Sequence, residues 1–227
     1  MRIKDKGIRI GFEIECMVQD QATSSQVARI LESDNREDGS LSTDDSYRET
    51  PREFVSLPIV YKSKEYKTYF SKLDTLFSEG DITLNKSCGI HFHFSIPTMA
   101  DAIFFLGKKE FTSGYEDILK NNFSSLWDYR RHNDYCSSNS VDNIISTRNG
   151  RYRIINFASY AKHGTIENRF YGYYGHTRLD VQEFQRYINA FINYFRAFLL
   201  GVDKRKTQIK QSNIFEPLNL KTINYQF

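Results

Sequence analysis

The sequence predicts an α+β fold built on a mostly antiparallel sheet. Three observations lead to it. Residues 8–18 and 89–96 alternate apolar and polar positions, the period-two pattern of half-buried strands. Residues 62–79 and 180–200 space their aromatic and aliphatic side chains as helices do. Strand-like and helix-like segments follow one another irregularly, with no internal repeat and no linker between domains.

Each element follows in order. In 8–18, Ile10, Phe12, Ile14 and Cys16 share one face, and Gly11, Glu13 and Glu15 share the other. Residues 23–32 suit a short helix capped by Thr23 or Ser24. The polar stretch 33–52 reads as a loop or weak hairpin, and Glu53 to Val60 resumes strand character. Tyr66, Tyr69, Phe70, Leu73, Leu76 and Phe77 predict a helix over 62–79, stopped by Gly80. Residues 89–96 are the cleanest strand, closed by Pro97. Residues 99–129 read as helix in two pieces around Gly114, and 130–150 as a polar loop. Residues 151–158 and 164–172 read as two strands joined by a turn at Lys162-His163-Gly164. Residues 180–200 form a long helix, and the tail from Asp203 is basic and then polar.

Length and composition suit one domain over residues 1–202 with an extension over 203–227. The chain has 227 residues, 40% of them apolar, and 18 Phe with 15 Tyr put much of that area into rings. A formal net charge of +3 gives no indication of nucleic-acid binding. Three widely spaced Cys (Cys16, Cys88, Cys136) fit a reducing compartment better than a disulfide framework. The charged N-terminus lacks the apolar stretch of a signal peptide, and no run is long enough to span a membrane. The expectation is therefore a cytoplasmic protein without membrane partners. A Lys-, Asn-, Ser- and Tyr-rich composition is compatible with a phage or mobile-element source.

Three strands carry the chemically competent residues in same-face pairs. Glu13 and Glu15 form the first pair, and adjacent carboxylates repel unless cations or strong donors share their site. Hard cations take oxygen ligands of this kind. His91 and His93 form the second pair, competent for metal or phosphate and also compatible with zinc. Glu167 and Arg169 form the third. Alone, each pair also fits a solvated surface. Gathered on one sheet face, they make a poor core and a good cradle for metal and phosphate. His132, His163 and His176 lie in polar segments, and Cys88 suits a buried small hydrophobe better than a nucleophile.

The ordered set resembles the amidoligase family, a branch of the carboxylate–amine ligases that includes glutamine synthetase and glutamate–cysteine ligase. The resemblance rests on Gly11-Phe12-Glu13-Ile14-Glu15, Arg52-Glu53-Phe54-Val55-Ser56-Leu57-Pro58, Cys88-Gly89-Ile90-His91-Phe92-His93-Phe94 and Thr165-Ile166-Glu167-Asn168-Arg169-Phe170. Asn133-Asp134-Tyr135-Cys136 and Arg153-Ile154-Ile155-Asn156 are less specific additions, and the set spans most of residues 8–200. The resemblance implies a glutamine-synthetase-like catalytic core: a curved antiparallel sheet, helices packed on one side, and an open side for ATP with Mg²⁺ or Mn²⁺. It assigns Glu13, Glu167 and His91 to the cation that bridges the nucleotide phosphates, and Glu15 and Glu53 to a cation nearer the acceptor. Arg169 would neutralise the transferring phosphoryl group, and with Glu53 it is an expected catalytic residue. Arg151 and Arg153, with His91, are expected cofactor contacts, and His93 supports a ligand rather than being one. The implied activity is ATP-dependent amide or isopeptide formation between small-molecule or peptide carboxylates and amines. A metal-dependent hydrolase using His91 and His93, or a non-catalytic binding module on the same scaffold, are the alternatives. The family's Asp-Gly-Ser step before the central Glu has two counterparts here, Asp38-Gly39-Ser40 and Asp44-Asp45-Ser46. Asn168 stands where an apolar or aromatic residue is common in the family.

Overall fold

A computed structural model describes residues 7–42, 49–106, 109–138 and 152–211. The Asp44-Asp45-Ser46 step, Arg151 and the tail beyond Gln211 lie outside the described residues. Strand β1 (Arg9–Val18) leads into helix α1 (Gln21–Leu31), followed by β2 (Ser33–Glu37), β3 (Thr50–Ser56) and β4 (Ile59–Val60). Helix α2 (Lys64–Glu79), β5 (Ile82–Thr83) and β6 (Ile90–Ser95) come next, then helices α3 (Met99–Leu106), α4 (Lys109–Asn122) and α5 (Ser124–Arg130). A 3₁₀ turn at Asp134–Cys136 precedes β7 (Ile155–Asn156), α6 (Ser159–His163), β8 (Ile166–Asn168) and α7 (Val181–Gln211).

The strands form one eight-stranded sheet in the order β2-β3-β1-β6-β8-β7, with β4 and β5 also paired to β1. All of these pairings are antiparallel. The fold is therefore mixed α and β around an open antiparallel sheet, as the alternation predicts.

The apolar sheet face is covered by helices. Phe12 stacks on Tyr69 of α2 at 4.9 Å and meets Phe70 and Phe184 edge-on. Phe92 and Phe94 of β6 meet Phe191 of α7 at 5.3 and 5.5 Å. Burying a ring of this size contributes about 1.5–3 kcal/mol, so this face holds the sheet against its helices. Asn168 also points into this layer. Its amide donates to Tyr115 Oη at 2.9 Å and accepts from Tyr187 Oη at 2.6 Å, so this buried polar residue has both ends satisfied.

Several expected boundaries move. Helix α1 starts at Gln21 because the Asp20 carboxylate, rather than Thr23 or Ser24, caps it and accepts from Thr23 N at 2.7 Å. Of the loop or weak hairpin expected over 33–52, the hairpin reading fits better: Ser33–Glu37 is β2, paired antiparallel with β3 from Ser33–Ser56 to Glu37–Arg52. The region 99–129 holds three helices, and Gly114 lies inside α4, where the absence of a side chain lets Tyr194 of α7 pack against the backbone. Between β7 and β8 the chain forms α6 rather than a simple turn, and Gly164 ends it in the left-handed conformation at φ 66°. Helix α7 continues to Gln211, so the division expected at residue 202 falls inside a helix. Among the described residues, no helix is long and apolar enough to cross a membrane.

Candidate functional site

The register of the sheet aligns the three polar pairs. Glu15 on β1 faces Glu53 on β3, and Glu13 faces His91 on β6. His93 faces Gly11 on one side and Glu167 of β8 on the other, and Glu167 faces Asn156 of β7. Because side chains alternate across a strand, this register puts every one of these groups on the face away from the helices. They line a cleft of about 880 Å³, a size suited to a small molecule or nucleotide.

His91 is the centre of the cluster. Its Nδ1 lies 3.3 Å from Glu13 Oε2, 3.4 Å from Glu167 Oε1 and 3.8 Å from Glu15 Oε1. His93 sits beside it but turns to other partners. Its Nε2 lies 2.9 Å from Glu13 Oε1, and its Nδ1 lies 2.9 Å from Thr165 Oγ1 and 3.2 Å from Ser159 Oγ. With both ring nitrogens engaged, His93 orients Glu13. Glu167 is held the same way: Asn156 Nδ2 donates to Oε2 at 2.7 Å, and Arg169 Nη1 pairs with Oε1.

Two groups of donors emerge, each with its ligand atoms within 4.8 Å of one another: Glu13, His91 and Glu167, and Glu15, Asp38 and Glu53. The Glu-x-Glu strand thus contributes one carboxylate to each. Oxygen-rich sets of this size suit hard divalent cations. Asn156 Oδ1 is buried without a partner beside the first group, so the cluster has acceptor capacity that the protein does not fill.

Glycine makes this approach possible. Gly89 N donates to Glu15 Oε2 at 2.6 Å. A Cβ at Gly89 would lie 2.5 Å from His91 Nε2 and 2.9 Å from Glu15 Oε2. No side chain fits between these two groups.

The electrostatics follow from crowding. Glu53 is raised from the usual 4.5 to about 7, first by burial and then by the negative Glu13, Glu15 and Asp38 nearby. Burial also acts against the Glu13 carboxylate, but hydrogen bonds and charge from His91 and His93 together outweigh it and hold Glu13 well below the usual range. Burial works against the His93 cation, yet the Glu13 hydrogen bond and the Glu13 and Glu167 charges raise its pKa. The Cys88 thiol is pushed up to about 12, mainly by burial, which removes it as a nucleophile.

Glu13, Glu15, Glu53, His91, Glu167 and Arg169 therefore converge. Arg153 does not: it is absent from the cleft lining, and its Nη1 donates to Ser138 O at 2.7 Å. The guanidinium ties the segment after the 3₁₀ turn to the segment before β7. His163 is exposed at the cleft rim, and His132 and His176 lie outside the cleft. Sequence reasoning missed Asp38 as a ligand-type residue, although the Asp-Gly-Ser step pointed to it. It also missed Asn156, Ser159 and Thr165, which orient the donors, and Arg130, which lines the cleft.

No family model matches this chain, and neither does any curated protein or solved structure.

Proposed function

We propose that this chain is an ATP-dependent carboxylate–amine ligase of the amidoligase type, on a glutamine-synthetase-like core. One observation carries the reading. The Glu-x-Glu strand divides its carboxylates between two separate donor groups, Glu13 with His91 and Glu167, and Glu15 with Glu53 and Asp38. That division agrees with the one the motif resemblance implies, and Asp38 fits the ambiguous Asp-Gly-Ser step.

The chemistry is phosphoryl transfer followed by amide formation. An oxygen of the substrate carboxylate attacks the γ-phosphorus of ATP, the bond to the bridging oxygen breaks, and ADP leaves. The amine nitrogen then attacks the carbonyl carbon, the carbon–oxygen bond to phosphate breaks, and inorganic phosphate leaves as the nitrogen loses a proton. Glu13, His91 and Glu167, and Glu15, Asp38 and Glu53, would hold Mg²⁺ or Mn²⁺, which would supply positive charge to offset repulsion between a carboxylate and the triphosphate. Arg169, paired with Glu167 of the first group, would meet charge on the transferring phosphoryl. His93 and Asn156 fix Glu13 and Glu167 so that these ligands need no rearrangement.

The hydrolase alternative needs both imidazoles on one transition metal, and His93 joins neither group. The ligase reading is tested by ADP formation and by a mass-spectrometric search for condensation products in a lysate. Product that requires Mg²⁺ or Mn²⁺ and falls at least about 100-fold in Arg169→Ala supports it. Metal-loaded wild-type protein that binds no nucleotide by calorimetry sinks it.

A further inference from the structure

Arg52 and Arg169 each pair with a carboxylate, and Arg130 does not. Arg52 is 6% exposed and engages Glu37 at 3.1 Å, and Arg169 pairs with Glu167. Arg130, the last residue of α5, is 4% exposed and lines the cleft. Its guanidinium meets only uncharged groups: Nη1 lies 3.4 Å from both Cys88 O and Tyr173 O, and the Cys136 thiol hydrogen-bonds to the guanidinium. Its Nε is buried with no partner, and among the described residues no carboxylate forms an ion pair with it.

A guanidinium carries five N–H donors, and a buried cation without an anion is strongly disfavoured. The C-terminus of α5 and the two long carbonyl contacts offset only part of that cost. Of the cleft carboxylates, Glu15 is turned onto Gly89 N instead, and Asp128, two residues before Arg130, pairs with Arg131. Backbone crowds the other sides: a Cβ on Gly172 would lie 2.6 Å from Arg130 Nη1 and 2.6 Å from Cys88 O. The open direction is the cleft.

Position narrows the ligand. Arg169 is tied to Glu167 in the first donor group, the end assigned above to the nucleotide phosphates. Arg130 contacts the carbonyl of Cys88, next to the Gly89 amide that holds Glu15 of the second group. We infer that Arg130 is a binding residue for a carboxylate on the non-nucleotide substrate, gripped by the guanidinium fork at the Glu15 end of the cleft. This rests on the ligase reading, which sets the phosphates at the other end. A planar fork matches a carboxylate in two parallel hydrogen bonds.

The test uses the full chain at saturating Mg²⁺, with succinate, its uncharged diamide and inorganic phosphate as probes. Binding is followed by calorimetry and by the ¹⁵N resonance of the Arg130 Nε–H. Succinate is expected to bind and to shift that resonance, and the diamide to do neither. Arg130→Met is expected to weaken succinate roughly tenfold to a hundredfold, with Mg²⁺ affinity little changed. Should Arg130→Met not fold, Arg130→Lys keeps the charge without the fork, and an intermediate loss is expected. Unchanged succinate affinity in the variant that folds overturns the inference, as does wild-type protein that binds phosphate but no carboxylate. Absence of Mg²⁺ and ATP binding in the wild type marks failure of the ligase reading. Intact Mg²⁺ and ATP binding with unaltered succinate affinity in the variant marks failure of this inference alone.

Discussion

Replacing Glu53 by Gln should make the metal-free protein more stable at alkaline pH and less responsive to divalent cations. Glu53 stands directly across from Glu15, and its carboxyl is raised from 4.5 to about 7 by burial and by three neighbouring acids. Below pH 4.5 Glu53 is protonated in both the folded and unfolded chain, and the associated stability is fully present. It is lost as pH rises through about 7, because the folded state then holds a carboxylate it disfavours. Unscreened, that rise corresponds to about 3 kcal/mol. Solvent reaches the half-buried side chain, so ~1–2 kcal/mol is the realistic share. In a chain of this size that is roughly 2–8 °C in Tm. Thermal unfolding in a chelator at pH 8 should show Glu53→Gln above wild type, with the gap closing toward pH 4.5. Adding Mg²⁺ at about a hundred times Kd should stabilise wild type by about 2.7 kcal/mol and the variant by much less. A Gln variant no more stable than wild type in chelator, or one gaining equally from Mg²⁺, would refute the crowding account.

Three further outcomes are expected. Gly89→Ala should weaken Mg²⁺ binding at least tenfold and destabilise by ~1–3 kcal/mol, since its Cβ would press within 2.5 Å of His91 Nε2; calorimetry and unfolding check both. His93→Gln should reduce cation affinity roughly 10–100-fold while leaving nucleotide-independent stability nearly intact, because its partner Glu13 faces the cleft as a proposed ligand rather than the core. Phe12→Ala should cost about 3–5 kcal/mol in urea unfolding, because the ring fills the layer between β1, α2 and α7.

The two central strands were legible because their information is local. In Gly11–Cys16 and Gly89–Phe94 the alternation separates core from cleft without any distant contact. The helix over α2 was legible for the same reason, from its apolar stripe, with Gly80 as its stop. Asp38 was not, because its position depends on long-range loop contacts. Its own oxygen accepts from Ser40, while the strand end is tied across the chain through Ser42 N to Ser87 Oγ at 3.1 Å. The role of His93 was visible only as a support, since its tautomeric partners Thr165 and Ser159 lie 72 and 66 residues away. Helix α6 is too short to show a period, and Gly114 misled because its reason is a tyrosine from another helix. Arg130 has no sequence signal at all: its lack of a carboxylate partner is a property of the folded neighbourhood.

The sheet order gives the two donor groups unequal mechanical support. Glu13, His91 and Glu167 stand on β1, β6 and β8, each flanked by strands on both sides. Asp38 follows directly on β2, a terminal strand with one free edge. Amide hydrogen exchange should therefore be slowest through Glu13 and His91 and fastest at the β2 edge, since edge strands open without unfolding the rest. Asp38 is thus the member of the second group held at a sheet edge, while its companions Glu15 on β1 and Glu53 on β3 stand between paired strands.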